Sequence, residues 1–334
     1  MEFRSLADLG ETIYRNAYKV PDDIDLVVGI PRSGLLAANL VALQLNLPLQ
    51  DLDSFLLRRT PTVGRTARGT MKSAPTDQPR KALVVDDSIL TGASMNEVRE
   101  RILRERGDVP AVYCAIYGVH EQHAEIDFHL EIVPEPRVFQ WNLMRHVFLG
   151  NACLDIDGVL CHDPRGAEND DGENYRAFLL SARPLHRPHV KVKHLVTSRL
   201  EKYRRQTEQW LRENGVEYER LWMLDLPSAE ERRRLNAHAS HKARVYAESG
   251  AILFVESEYD QAQQIANLSS RPVLSLDGQR MLWPESDRRA HRRYIKHYAN
   301  TWPYSRSTPA RLIAAIAGET GLAAAKRFLG RAQA

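Results

Sequence analysis

Leu83-Val84-Val85-Asp86-Asp87-Ser88-Ile89-Leu90-Thr91-Gly92-Ala93-Ser94 runs from an apolar segment into two acids and then into a turn rich in hydroxyls. Ala82–Val85 reads as a buried strand with Asp86 and Asp87 at its carboxyl end, and Gly92–Arg106 reads as an amphipathic helix. Strand, turn and helix in that order make one step of an α/β layer. Upstream, Ile24–Ile30 is a second short apolar strand that ends in Pro31-Arg32-Ser33-Gly34, and Leu35–Leu45 is a buried helix. Ala111–Tyr117 reads as a further strand, and residues 3–18 as a first amphipathic helix. Strands that alternate with helices predict a mainly parallel sheet covered on both faces.

The pattern restarts after Leu149-Gly150 with a strand over Asn151–Asp155, inside Leu154-Asp155-Ile156-Asp157-Gly158-Val159-Leu160. His194–Thr197, Leu221–Leu224 and Ala251–Val255 continue it as strands with helices between them. The fold class is therefore α/β with two domains, residues 1–148 and 149–334, each a mainly parallel sheet flanked by helices. A chain of 334 residues is long enough for two cores.

Composition narrows the partners. With 46 basic against 43 acidic residues the net charge is only +3, which argues for no nucleic acid or other polyanion. Cys114, Cys153 and Cys161 are spaced like neither a zinc site nor a disulfide framework and fit a reducing compartment. The first residues lack the pattern of a secretory leader, and no apolar run has the ~20 residues that span a bilayer. A cytoplasmic protein is expected.

Ligands of open α/β sheets gather outside the carboxyl ends of the strands. There, Asp86 and Asp87 can accept hydrogen bonds from the cis hydroxyls of a ribose. The turn Ser88–Ser94 can wrap a phosphate dianion with backbone N–H groups and the hydroxyls of Thr91 and Ser94, at the positive end of a helix. Gly92 allows close backbone approach, with Ala93 beside it. This run resembles the PRPP-binding motif of type I phosphoribosyltransferases. By that resemblance Gly29-Ile30-Pro31-Arg32-Ser33-Gly34 stands at the pyrophosphate loop, with Arg32, Ser33 and Gly34 as binding residues. The basic stretch 55–80, with Arg58, Arg59, Arg65, Arg68, Lys72 and Arg80, stands at the mobile loop that closes over the reacting centre. One departure concerns the acceptor: purine-salvage members carry an acid where this chain has Leu90, which can move no proton. Trp141, in the region Pro134–Met144, is a candidate to stack on the acceptor or to pack between domains.

Asp155 and Asp157, two residues apart at a strand end, can both face one phosphate. One carboxylate can attack phosphorus while the other moves protons. Like charges beside a dianion need a cation, which implies Mg2+. This run resembles the first motif of the haloacid dehalogenase superfamily. The resemblance implies a Rossmann-like phosphatase domain with Asp155 as nucleophile, Asp157 as acid–base residue and Thr197, in Leu195-Val196-Thr197-Ser198-Arg199, on the phosphoryl oxygens. It implies Lys242, with Lys202 as competitor, as the basic residue. Asp155, Asp157 and Glu256 are the implied metal ligands, with Glu258 and Asp260 as neighbours or substitutes for Glu256. The short segment between Asp157 and Thr197 implies little or no cap.

Residues 285–305 interleave bases and aromatics, and Ala310–Leu329 looks amphipathic enough to dock on the core or on a second copy of the chain. Together the two resemblances point to transfer of 5-phosphoribosyl from PRPP to an acceptor and removal of the 5-phosphate from the resulting intermediate. The pairing is similar to a route that builds ribofuranose into polysaccharides, with a glycan acceptor. Nucleobase transfer coupled to a nucleotidase, and a PRPP or nucleotide sensor that regulates a phosphatase, are the alternatives.

Overall fold

The computed structural model describes residues 1–64, 71–72, 74–285 and 293–294. Part of the basic stretch, including Arg65 and Arg68, lies outside the described residues, as does the tail after Glu285 except Arg293 and Tyr294. The chain divides into two compact units: Glu2–Trp141, and Asn142 onward together with Met1. The division falls earlier than the sequence places it.

In the first unit, strand β1 (Glu2–Arg4) precedes helix α1 (Leu6–Asn16), which Ser5 caps through a reciprocal pair of hydrogen bonds with Asp8. Then follow β2 (Leu26–Gly29), α2 (Ser33–Leu45), β3 (Leu49–Asp51) and α3 (Leu52–Leu56). The unit continues with β4 (Ala82–Ser88), α4 (Ala93–Arg106), β5 (Ala111–Gly118), β6 (Phe128–Ile132) and β7 (Arg137–Phe139). Five strands form a parallel sheet in the order β3-β2-β4-β5-β6. β1 pairs with β7 in a separate parallel pair, Glu2 opposite Arg137.

Alternate residues of the central strands build two cores. Val27, Leu83, Val85, Cys114 and Ile116 pack with Leu9, Ile13, Ala37 and Val41 on one face. Leu26, Val28, Ala82, Val84 and Ala115 pack with Phe55, Met95, Val98 and Ile102 on the other. Each fully buried Val or Leu side chain contributes about 1.5–3 kcal/mol, so β2 and β4 are rigid rails for whatever follows them.

The second unit contains β8 (Ala152–Leu154), α5 (Glu173–Ser181), β9 (Val192–Leu200), α6 (Arg204–Glu213) and β10 (Tyr218–Leu224). It goes on with α7 (Ala229–Arg234), α8 (Ala237–Ser249), β11 (Leu253–Glu256), α9 (Tyr259–Ser269), β12 (Val273–Ser275) and β13 (Arg280–Leu282). Its sheet order is β10-β9-β8-β11-β12-β13, parallel except for the edge strand β13. Val196, Phe254, Tyr246, Ile265 and Ala243 form the core beneath α8 and α9. Between Asp157 and β9 there is a short 3-10 turn and one helix, α5, and no separate cap domain. Among the described residues, no helix is long and apolar enough to cross a membrane, and the three cysteines are buried and unpaired.

Candidate functional sites

β2 and β4 are neighbours in the sheet, run in the same direction, and each feeds a helix at its carboxyl end. Neither α2 nor α4 has a side-chain cap at its amino end. Two helix ends without a side-chain cap from their N-cap residue therefore face one edge of the sheet, although the Ala93 N–H of α4 donates to Thr91 Oγ1 at 3.5 Å; such ends are the arrangement that binds anions. Arg32 caps α2 only by position and is exposed, and the Pro31–Arg32 peptide is cis. Gly34 is required by packing: a Cβ there would stand 2.7 Å from Asp86 Oδ1 and 2.9 Å from the Asp86 Cα.

β4 continues through Ser88, which pairs with Tyr117, so the turn starts later than the sequence suggests and Ser88 belongs to the strand. Ile89 is buried, and its carbonyl accepts from Arg137 Nη2 at 2.7 Å, which anchors the turn. Thr91, Ala93 and Ser94 are exposed around Gly92, whose φ is +76°. The turn thus offers hydroxyls and amide donors to solvent.

Asp87 is almost fully buried, and each of its two oxygens already accepts one hydrogen bond. Ser33 Oγ donates to Oδ1 at 2.8 Å and Trp141 Nε1 donates to Oδ2 at 2.8 Å. Trp141 stacks on Phe139, with ring centroids 4.8 Å apart and planes 3° apart, and Phe139 stacks on Tyr117. The sequence offered Trp141 as an acceptor platform or as a packing residue between domains; in the structure its ring edge holds Asp87. Burial pushes the Asp86 carboxyl up to about 8, and the charge of Asp87 beside it adds to the rise.

In the second unit, Asp155 follows β8 and Glu256 ends β11, its neighbour in the sheet. Lys242 of α8 reaches between them: its Nζ lies 2.6 Å from Asp155 Oδ2 and 2.7 Å from Glu256 Oε2. All three side chains are buried. Lys202 is instead paired with Asp171 at 3.0 Å, so Lys242 is the lysine at Asp155. Burial pushes the Asp155 carboxyl well above its usual range, against the opposing pull of Lys242. Burial also works against the Lys242 ammonium, but Asp155 and Glu256 outweigh it and keep it charged. One ammonium serves two buried carboxylates, which leaves the pair short of positive charge.

Asp157 meets a different partner. Arg199, fully buried at the end of β9, donates from Nη2 to Asp157 Oδ1 at 2.6 Å and from Nε to Oδ2 at 3.1 Å. Burial alone would raise Asp157, yet the guanidinium outweighs it and holds the carboxyl below its ordinary value. The expected metal set Asp155, Asp157 and Glu256 is therefore not assembled as three converging carboxylates, because Arg199 takes the Asp157 oxygens. Among the described residues there is no metal-like group of three or more His, Cys, Asp or Glu side chains. Asp155 and Glu256 remain, a hard oxygen pair that fits Mg2+, which commonly takes one or two carboxylates and keeps its waters.

A cavity of about 610 Å3 opens over these residues, lined by Asp155, Asp157, Thr197, Lys242, Glu256 and Glu258 among others. Thr197 is fully buried and its Oγ1 accepts from the Arg199 amide. Asp260 is exposed and does not line the cavity. Asp163, Arg199 and Arg232 were not assigned roles from the sequence; Arg199 sits two residues after Thr197 in the motif itself, the one signal that could have found it.

Solved structures similar to this chain include a purine phosphoribosyltransferase from Pyrococcus horikoshii, 18% identical, over 42% of this chain and 94% of that one, with a TM-score of 0.30. A xanthine-guanine-hypoxanthine phosphoribosyltransferase from Helicobacter pylori is 13% identical over 42% and 92%, also at 0.30. A hypothetical protein from Neisseria gonorrhoeae with bound ppGpp is 16% identical over 42% and 90%, at 0.30. No curated protein matches the chain. The family model of the phosphoribosyl transferase domain matches residues 3–143, and this segment, with its parallel sheet and its Asp86-Asp87 turn, is a type I phosphoribosyltransferase domain.

Proposed function

We propose that the chain moves a 5-phosphoribosyl group from PRPP to an acceptor hydroxyl in its first domain and removes the 5-phosphate in its second, residues 149–334, read as a haloacid dehalogenase-type phosphatase. The Asp155–Lys242–Glu256 trio carries the reading, because it sets a buried carboxylate, a cation and a second acid over one cavity at the carboxyl ends of parallel strands. The sheet order with β8 in its middle supports it, as does Thr197 on the adjacent strand β9.

In the transfer step the acceptor oxygen bonds to C1 of the ribose and pyrophosphate leaves. PRPP enters as its Mg2+ complex. The free ends of α2 and α4 hold pyrophosphate and 5-phosphate, Asp87 is a fixed acceptor for a ribose hydroxyl, and Asp86 is the base near the reaction. In the second step an Asp155 oxygen bonds to phosphorus as the ester bond to the ribose 5-oxygen breaks. Asp157 is the residue proposed to hand a proton to that oxygen and to take one from the water that opens the aspartyl phosphate, which requires Arg199 first to let go of its carboxylate. Lys242 and Thr197 orient Asp155 and the phosphoryl oxygens. Mg2+ on Asp155 and Glu256 would neutralise the phosphate charge.

A glycan hydroxyl is the proposed acceptor. Leu90 in the turn supplies no proton to a purine ring, and a hydroxyl needs only a base, the role proposed for Asp86 once it has given up the proton it holds up to about pH 8. Mass spectrometry of the Asp155→Asn chain with Mg–PRPP and a panel of glycans and nucleobases tests this. A glycan that gains one phosphoribosyl group and keeps its phosphate is expected. The same gain on a nucleobase would replace the acceptor, and bound PRPP without pyrophosphate release would make the first domain a sensor.

A further inference from the structure

Arg232 of α7 has no part in the chemistry above. It lines the cavity over Asp155, yet it is only 7% exposed. Its Nη1 donates to the Ser198 carbonyl at 2.7 Å, one residue past Thr197. Its Nε is buried with no hydrogen-bond partner. Among the described residues no carboxylate forms an ion pair with it. The other cations here are committed: Arg199 to Asp157, and Lys242 to both Asp155 and Glu256. A buried guanidinium without a counter-anion is costly, and a protein that keeps one beside an open cavity has kept a site for an anion.

We infer that Arg232 is a second phosphate-binding residue of this cavity, one that takes the oxygens of the incoming phosphomonoester and of the inorganic phosphate product. This rests on the phosphatase reading and adds to it the source of the charge that Lys242 does not have to spare. Lys242 faces two carboxylates, so it cannot by itself balance a dianion. The guanidinium is held by the Ser198 carbonyl and meets the Tyr175 hydroxyl, which leaves its unpartnered Nε–H side for an oxyanion, and its planar fork suits phosphate better than an ammonium does.

The test is calorimetric titration of inorganic phosphate into the full chain with Mg2+, alongside turnover of a phosphomonoester. Arg232→Met should weaken phosphate binding by about 10–100-fold and raise KM more than it lowers kcat. Arg232→Lys, which keeps the charge and loses the fork, should recover part of the loss; it also serves as the readout if Arg232→Met does not fold. Phosphate binding that is the same in wild type and in a folded Arg232→Met chain, or absent from wild type, would overturn the inference. If wild type binds phosphate through Arg232 but hydrolyses no phosphomonoester, the anion site stands and the phosphatase reading falls.

Discussion

Asp86→Asn isolates the electrostatics of the first site. Burial, and then the charge of Asp87, move the Asp86 carboxyl from 3.8 to about 8. Between those values the folded domain holds a proton that the unfolded chain has given up. Its stability therefore falls as pH rises through the window and levels off above it. Asparagine does not titrate, so the variant and the wild type should be nearly equal in acid and diverge toward alkaline pH, with the variant more stable. At about 1.4 kcal/mol per tenfold change in proton affinity, the full span corresponds to roughly 5–6 kcal/mol. Asp86 borders an open turn where water enters, and relaxation around Asp87 absorbs more, so the expected gain is about 2 kcal/mol at about pH 9. That is roughly 5–8 °C in a domain of this size. Scanning calorimetry of the full chain at about pH 5 and about pH 9 measures it, with the first domain's transition identified by its shift on adding Mg–PRPP. A difference between variant and wild type that is the same at both pH values would refute the reasoning.

Trp141→Phe keeps the stack on Phe139 but removes the N–H that holds Asp87, and Mg–PRPP binding should weaken by about 5–20-fold; titration of Mg–PRPP measures it, and unchanged affinity would make Trp141 a packing residue only. Lys242→Met leaves the buried acids Asp155 and Glu256 without their cation, at a cost of about 3–5 kcal/mol, which denaturant unfolding at neutral pH would detect. Arg199→Gln frees Asp157 from the guanidinium that depresses it, so its carboxyl should rise and the acid limb of the phosphate-release profile should move to higher pH. An unmoved limb would remove Asp157 from the proton transfer.

Both strand-to-acid turns were legible as elements because each follows a strand buried on two faces, which reads as an unbroken apolar run. Leu83-Val84-Val85 and Ala152-Cys153-Leu154 are such runs. β3 and β6 were not legible: Leu49–Asp51 is short and only Gln50 of it is buried, and Phe128–Ile132 is largely half-exposed. The extension of β4 through Ser88 depends on pairing with Tyr117, a register that local sequence does not carry. Lys202 and Lys242 are alike in sequence, and only tertiary placement puts Lys242 between two acids. Arg199 was in plain view, but β9 buries consecutive residues as far as Leu200, so no alternation revealed that its side chain turns toward Asp157.

The parallel pairing of β1 with β7 has a consequence for synthesis. Glu2 sits opposite Arg137, so nearly the whole domain lies between the two strands. At ribosomal speeds β1 waits on the order of ten seconds or more before its partner emerges. Until then β1 is an open edge, because the segment that carries Phe139 and Trp141 has not yet been made. The grip on Asp87 is thus among the last features of the domain that translation can complete, which leaves the nascent chain without the finished Asp86–Asp87 turn until almost all of that domain has been made.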